Sequence, residues 1–395
     1  MWASRVKRGE HMQTAQRKSE WRNSEFRQYC AEGKKRALDL GNRGPIRFAS
    51  DGQLASEILE AYERCGFYVF ENVVGEEELT ECRSEIDELL QRAPWPRRDS
   101  KTDRQGREAL GLDLAINPWI MTRPLSDPVG GTAENNGRHP VKMYEPEPAA
   151  NSPIHVPYLV AGCLQLLPSF LRIFGHPGIL RVAEAINGPD FTPFTEVLFV
   201  KEPELGPSVS WHQDGQIHWD NPDWNPNIHG FNVQVQLYGS TPANGVWVLP
   251  GTHSEGKVDI ADRIRKNNGS DWFEDAVPLV CAPGDAFITN RQTVHGSFPN
   301  TSKDRRITVN FGFHRYSSVI GQTGKLSGAG NVYTDDYIRQ RCRCIPLAID
   351  ARIQRFPEEE RYSYQPFMGL EEEHRYEPDT ARDILTNYNL RDLGI

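Results

Sequence analysis

Residues 210–220, SWHQDGQIHWD, set two histidines, two aspartates and two tryptophans within eleven positions. His212 and Asp214 stand two apart. In an extended segment residues i and i+2 project to the same side, so an imidazole and a carboxylate placed this way can share one ion. A third donor has to come from a distant part of the chain. His253 follows the turn Pro250-Gly251, and His314 ends a β-rich run. His295 lies in Thr293-Val294-His295-Gly296-Ser297, after the turn Pro283-Gly284-Asp285 and the strand-like residues 286–289. His295 has the best context. Gly296 allows the backbone behind it to approach closely. Residues 300–304, NTSKD, read as a turn, so Arg306 opens the neighbouring antiparallel strand and can reach the pocket beside His295.

Two histidines and one carboxylate leave three coordination positions open, the arrangement of non-haem Fe(II) oxygenases. A buried guanidinium nearby suits a dicarboxylate, which it grips with two parallel hydrogen bonds. The residues themselves therefore point toward 2-oxoglutarate as cosubstrate. Thr308 falls on the face of Arg306 and is expected to assist it. The run 232–238 alternates, so Asn232, Gln234, Gln236 and Tyr238 share one face. That face either lines the pocket, with Gln234 and Gln236 meeting the cosubstrate and Asn232 the substrate, or looks to solvent. His218 and Trp219 are candidates for the pocket wall, with exposure and core packing as their alternatives. His253 reads as a structural turn residue, Trp211 and Trp247 as packing, and Arg305 as facing away, the fallback for Arg306; Lys201 either reaches a carboxylate or phosphate or is, as is commoner, an exposed lysine at a strand end.

The elements that must position these groups change character along the chain. Residues 1–44 are polar and weakly periodic and are expected to form a flexible arm. Asp51 is placed to cap a helix carrying Leu54, Ile58, Leu59 and Tyr62, closed by Gly66. Residues 67–70 read as a strand, and an amphipathic helix follows from Gly75 to Pro94. Residues 97–157 are rich in Pro, Gly, Asn and Asp and read as long loops that shape a substrate site. Helices are expected over 159–174 and again from Pro177 to Gly188. From Phe191 the pattern turns to short β-rich runs at 195–200, 231–238, 246–249, 286–289 and 306–313, separated by turn signals. This predicts a mainly β fold, a jelly roll, with helical additions at both ends. Residues 45–345 are expected to form one catalytic domain, and the charged, helical 346–395 its C-terminal extension.

Composition narrows the classes. The 395 residues carry a net charge of −9, which argues against nucleic acid or an anionic membrane as partner. No apolar run approaches the ~20 residues of a membrane span. The first residues lack an apolar signal region, and the last three are not a peroxisomal address, so a cytoplasmic protein is expected. The seven cysteines are odd in number and scattered, which fits reduced, buried thiols better than a zinc site.

Several pieces then fall in a familiar order. They are residues 66–73 (GFYVFENV), 211–215 (WHQDG), 244–253 (NGVWVLPGTH), 283–285 (PGD), and His295-Gly296-Ser297 followed by Asn300-Thr301-Ser302 and Arg306. Together they resemble the phytanoyl-CoA dioxygenase (PhyH-like) family of Fe(II)/2-oxoglutarate-dependent oxygenases. The resemblance spans residues 50–316 and is most specific over 211–306. It implies a double-stranded β-helix of cupin-like type, Fe(II) held by His212, Asp214 and His295, and 2-oxoglutarate anchored by Arg306. It also implies that O2 and 2-oxoglutarate are consumed to oxidise, foremost to hydroxylate, a C–H bond of a small-molecule metabolite, releasing succinate and CO2. The carboxylate at 214 favours oxygenation over halogenation, since related halogenating enzymes lack it. The chain departs from the family at Ser240-Thr241-Pro242-Ala243, where an acidic residue is common. Residues 97–157 and 320–395 match nothing in the family and are expected to carry specificity. Two alternatives stand beside this reading. One is an acyl-CoA 2-hydroxylase of the phytanoyl-CoA type, for which Arg97, Arg98 and Lys101 are the basic residues at hand. The other is a non-catalytic metal-binding scaffold on the same fold.

Overall fold

Twelve strands can be traced among the described residues of the computed structural model, which are 24–215, 230–324 and 330–394. In chain order they are β1 (Arg43–Gly44), β2 (Phe67–Phe70), β3 (Trp119–Thr122), β4 (Val156–Ala161), β5 (Thr192–Lys201) and β6 (Val209–His212). Then come β7 (Phe231–Gln236), β8 (Trp247–Val248), β9 (Val277–Pro278), β10 (Ala286–Asn290), β11 (His295–Ser297) and β12 (Arg306–His314). They form an eight-stranded sheet, ordered β1-β2-β10-β7-β12-β5-β4-β3, and a four-stranded sheet, ordered β6-β11-β8-β9. Apart from the parallel pair β1–β2, the ladders are antiparallel. The jelly roll expected from the short β-rich runs is the fold observed, flanked by helices.

The period of two explains the layering. On β12, Ile307, Val309, Phe311 and Phe313 enter the apolar core, where Phe174 meets Phe311 at 5.2 Å and Phe191 meets Phe313 at 5.0 Å. Arg306, Thr308 and Asn310 take the opposite face. On β7, Val233 and Val235 join the same core, which sends Asn232, Gln234 and Gln236 to the side of Arg306. The helices Pro168–Phe174, Pro177–Asn187 and Cys344–Arg355 cover the core side of the large sheet. Among the described residues, no helix is long and apolar enough to cross a membrane.

Four local expectations are corrected. Residues 24–40, taken as part of a flexible arm, form a helix. Its Phe26, Tyr29 and Cys30 pack on the small sheet, with Tyr29 stacked on Trp247 at 4.6 Å. Phe26, Tyr29, Cys30, Gly33, Ala37 and Leu40 do recur at helical spacing, but small side chains carry half of the stripe, which flattens its hydropathy. Asp51 caps no helix: the helix is Ser56–Cys65, and Asp51 Oδ1 accepts from Gln53 N instead. The expected helix over 159–174 is split. Residues 156–161 alternate buried and half-buried as β4, Gly162 turns the chain at φ 69°, and Pro168 starts the real helix at its first position. The strand β7 stops at Gln236, so Tyr238 leaves the pocket face, and its Oη accepts from Arg305.

Gly66 ends the helix Ser56–Cys65 at φ 77° and donates to Tyr62 O. A Cβ there would lie 2.3 Å from Thr293 Oγ1 and 2.6 Å from His253 Nδ1. Its carbonyl accepts from Asn290 N and Thr293 Oγ1, so this glycine seats the loop that leads into His295.

Candidate active site

His212 ends β6 and His295 opens β11, and the two residues are direct partners across the antiparallel ladder. Their rings lie 4.1 Å apart. Each ring is fixed the same way: Nδ1–H donates to the carbonyl two residues back, Ser210 O for His212 and Thr293 O for His295, both at 2.8 Å. That tautomer leaves both Nε2 lone pairs bare. His212 Nε2 lies 3.6 Å from Asp214 Oδ1, and His295 Nε2 lies 3.8 Å from Asp214 Oδ2. The three side chains are buried, with their donor atoms within 4.8 Å of one another. These separations are too long for hydrogen bonds and leave room for an ion between them. The donor set of two imidazoles and one carboxylate fits Fe(II).

Asp214 is held from several sides. Its N–H donates to Arg291 O at 2.7 Å, Asn232 Nδ2 donates to Oδ2 at 2.8 Å, and Arg138 Nη1 pairs with Oδ1 at 3.2 Å. Burial works against its charge, but Arg138 and then His295 and His212 hold its carboxyl far below the usual range. Burial, then the neighbouring His139 and His295, depresses the pKa of His212 well below that of a free imidazole. Both shifts favour the protonation states that bind a metal. Between them, Gln213 turns away and ties the segment down, donating to Gln292 O and Gly256 O and accepting from Val258 N.

All three donors line a cavity of about 580 Å³ between the sheets. Arg306 lines the same cavity from β12 and is 2% exposed. It donates to Gln236 Oε1, Gln234 Oε1 and Asn244 O at 3.2–3.4 Å, all neutral acceptors. Burial lowers its pKa to about 10, so it stays cationic at neutral pH. Among the described residues it has no ion-pair partner, and a buried uncompensated guanidinium calls for an anion. Ser297 also lines the cavity, and Lys201 Nζ donates to its Oγ at 2.8 Å.

The polar face of β7 is buried, not solvent-facing. Gln234 and Asn232 line the cavity, whereas Gln236 and Thr308 sit behind it: Gln236 Oε1 accepts from both Arg306 Nε and Thr308 Oγ1. Thr308 therefore reaches Arg306 through a shared acceptor. Lys201, expected at the surface, is 1% exposed, because β5 pairs it directly with Arg306 inside the large sheet. Arg305 faces outward to Asp87 and Glu202, and His253 Nε2 donates to Glu63 O as a turn residue. Trp211 and Trp247 are packed in the core of the small sheet. His218 and Trp219 lie outside the described residues. Arg97, Arg98 and Lys101 are exposed and do not line the cavity.

Of the lining residues that the sequence left unassigned, four bear directly on the site. Arg138 and His139 come from the loop region 97–157, Arg291 follows β10, and Asn310 continues the face of Arg306. Asn310 was legible from the period of two; the loop residues carry no local signal. His139 stacks on His212 at 4.1 Å, and burial lowers its pKa to about 4, so it is neutral.

Residues 159–308 match the family model for phytanoyl-CoA dioxygenase (PhyH), so the resemblance read from the motifs holds over that stretch. The chain is 28% identical over 142 residues to dioxygenase lolE1 of Epichloe uncinata, covering 35% of this chain and 51% of that protein. It thus spans about half the length of this curated relative. Among solved structures, AviO1 from Streptomyces viridochromogenes Tue57 is 19% identical with a TM-score of 0.46, over 66% of this chain and 95% of that one. EctD from S. alaskensis, solved with 2-oxoglutarate and 5-hydroxyectoine, is 17% identical with a TM-score of 0.47, over 69% and 80%.

Proposed function

We propose that this chain, a member of the phytanoyl-CoA dioxygenase family over residues 159–308, is an Fe(II)- and 2-oxoglutarate-dependent dioxygenase acting on a C–H bond of a small molecule. The observation that carries the reading is one cavity holding both His212, Asp214 and His295 and the buried, unpaired cation of Arg306. A non-catalytic scaffold has no need of both.

When bound, Fe(II) with 2-oxoglutarate and O2 supplies the oxidising chemistry, in which the oxoacid becomes succinate and CO2. The chain's own part is binding and geometry. His212 and His295 present bare Nε2 atoms, and Asp214 presents an oxygen fixed by Asn232. Arg306 takes the distal carboxylate of the cosubstrate, braced by Gln234 and Gln236, while Ser297 offers a hydroxyl beside it. The small-molecule substrate then occupies the remaining, largely apolar part of the cavity, where water is excluded from the reacting C–H bond.

The test is direct. Anaerobic protein should bind one equivalent of Fe(II) and develop a weak visible charge-transfer band on adding 2-oxoglutarate. Asp214→Ala or His295→Ala should lose the band, and admitting air should form succinate. A wild-type protein that binds Fe(II) but shows no band refutes the cosubstrate assignment.

A further inference from the structure

Lys201 ends β5 behind the cavity wall, 1% exposed and directly opposite Arg306 in the large sheet. Its backbone is clamped: Asn300 Nδ2 donates to Lys201 O at 3.2 Å, and a Cβ on Gly206 would lie 2.7 Å from Lys201 Cα. Its side chain is clamped too. Nζ crosses to the small sheet, donating to Ser297 Oγ at 2.8 Å and to Phe298 O at 2.6 Å, and so ties down the end of β11. An apolar side chain of the same length would fill this space without the cost of burying an amine.

The consequence falls on the Ser297 hydroxyl. An ammonium has donors and no acceptor, so the contact from Lys201 occupies a lone pair of Oγ and leaves the hydroxyl hydrogen unspent. Among the described residues nothing accepts that hydrogen. Ser297 lines the cavity and Lys201 does not, so the hydrogen, turned away from Nζ, is directed to the cavity that also receives the Arg306 guanidinium. Hydrogen bonds in a chain polarise one another, and a hydroxyl that accepts from a cation is a stronger donor than a free one. Burial, then Arg306, lowers the pKa of Lys201, while Asp127 works the other way; an anion seated at Ser297 favours the ammonium further.

Resting on the dioxygenase reading above, we propose that Lys201 is a positioning residue for 2-oxoglutarate, acting through Ser297 to aim its hydroxyl at the distal carboxylate that Arg306 holds. That carboxylate then meets a guanidinium from one sheet and a fixed hydroxyl from the other. The pair selects a dicarboxylate over a 2-oxo acid with an apolar end.

2-Oxopentanoate, which has a methyl group in place of the distal carboxylate, is the probe. It and 2-oxoglutarate are titrated anaerobically into the Fe(II)-loaded protein and read by the visible charge-transfer band. The ratio of their dissociation constants measures recognition of the distal carboxylate. General damage to the metal site weakens both alike and leaves the ratio unmoved. Lys201→Met keeps the length of the side chain and should lower the preference for 2-oxoglutarate about tenfold, the size of one charge-assisted hydrogen bond. Ser297→Ala should lower it as well, and in that background Lys201→Met should cost at least about threefold less than it does alone. An unchanged ratio in Lys201→Met overturns the proposal. So does a cost that shrinks by less than this when Ser297 is already alanine, because Lys201 then has no hydroxyl to aim. Lys201→Gln, read by the same two criteria, stands in should Lys201→Met fail to fold. Failure of the dioxygenase reading is seen separately, as a wild type that binds Fe(II) and gives no band with 2-oxoglutarate.

Discussion

Gln236→Leu is the most discriminating single change at this site, because Gln236 touches neither the cavity nor the triad. Its Oε1 is the shared acceptor for Arg306 Nε at 3.3 Å and Thr308 Oγ1 at 3.0 Å, and all three side chains are buried. Leucine keeps the volume and removes the acceptor. Two buried donors lose a bond, each at a cost of ~1–2 kcal/mol, since the Arg306 contact is long; the expected loss of stability is about 2–4 kcal/mol. The guanidinium keeps Gln234 Oε1 and Asn244 O, so it stays in the cavity but is less firmly aimed. Loss of aim rather than of charge predicts ~10-fold weaker 2-oxoglutarate binding, about one charge-assisted bond's worth. Urea unfolding measures the first effect and anaerobic titration of the charge-transfer band the second. A variant that loses the stability but binds 2-oxoglutarate like wild type would refute the brace. A variant of unchanged stability would refute the bond count on which the magnitude rests. Gln234→Leu supplies the contrast: it lines the cavity, so it should weaken the cosubstrate with a smaller loss of stability.

Two further outcomes follow from the same geometry. Asn232→Ala removes the donor that fixes Asp214 Oδ2 and should weaken metal binding about 10–100-fold, read by calorimetry with Zn(II) and by Fe(II) retention on dialysis. Arg341 lies buried between Glu196 Oε2 at 2.8 Å and Asp392 Oδ1 at 2.9 Å, behind the cavity wall, and Arg341→Met should cost about 3–5 kcal/mol by stranding two buried carboxylates. Burial pushes both carboxyls above their ordinary range even beside the arginine. A carboxyl raised in the folded state contributes stability below its unfolded pKa and loses it as pH rises through the folded one. The variant's deficit should therefore shrink as pH falls toward the carboxylate range and grow toward neutrality. A pH-independent deficit in urea unfolding would contradict this.

How much of this was legible depended on how local each signal was. The two-residue spacing of His212 and Asp214, and the alternation that puts Asn232, Gln234 and Gln236 on one face, are fixed by the geometry of an extended chain. Arg306 was expected on the strand neighbouring that of His295, but β11 and β12 lie in different sheets and do not pair; the two residues line one cavity from those two sheets. Lys201 was misjudged because a lysine at a strand end is usually exposed, and only the ladder β5–β12 shows it sealed behind Ser297. The helix at 24–40 was missed because glycine, alanine and cysteine carry half its buried stripe. Its packing is decided by the flat face of Trp247, more than two hundred residues away.

By itself, then, the sequence determined the class of fold, the donor types and their order along the chain, since each rests on periodicities of two or of a turn. Tertiary structure alone decided that Gln236 and Thr308 brace Arg306 from behind while Asn232 reaches back to Asp214. It alone brought Arg138, His139 and Arg291 into the cavity. Those contacts join loops to strands far apart in the chain, and irregular loops have no period from which a side chain's direction can be read.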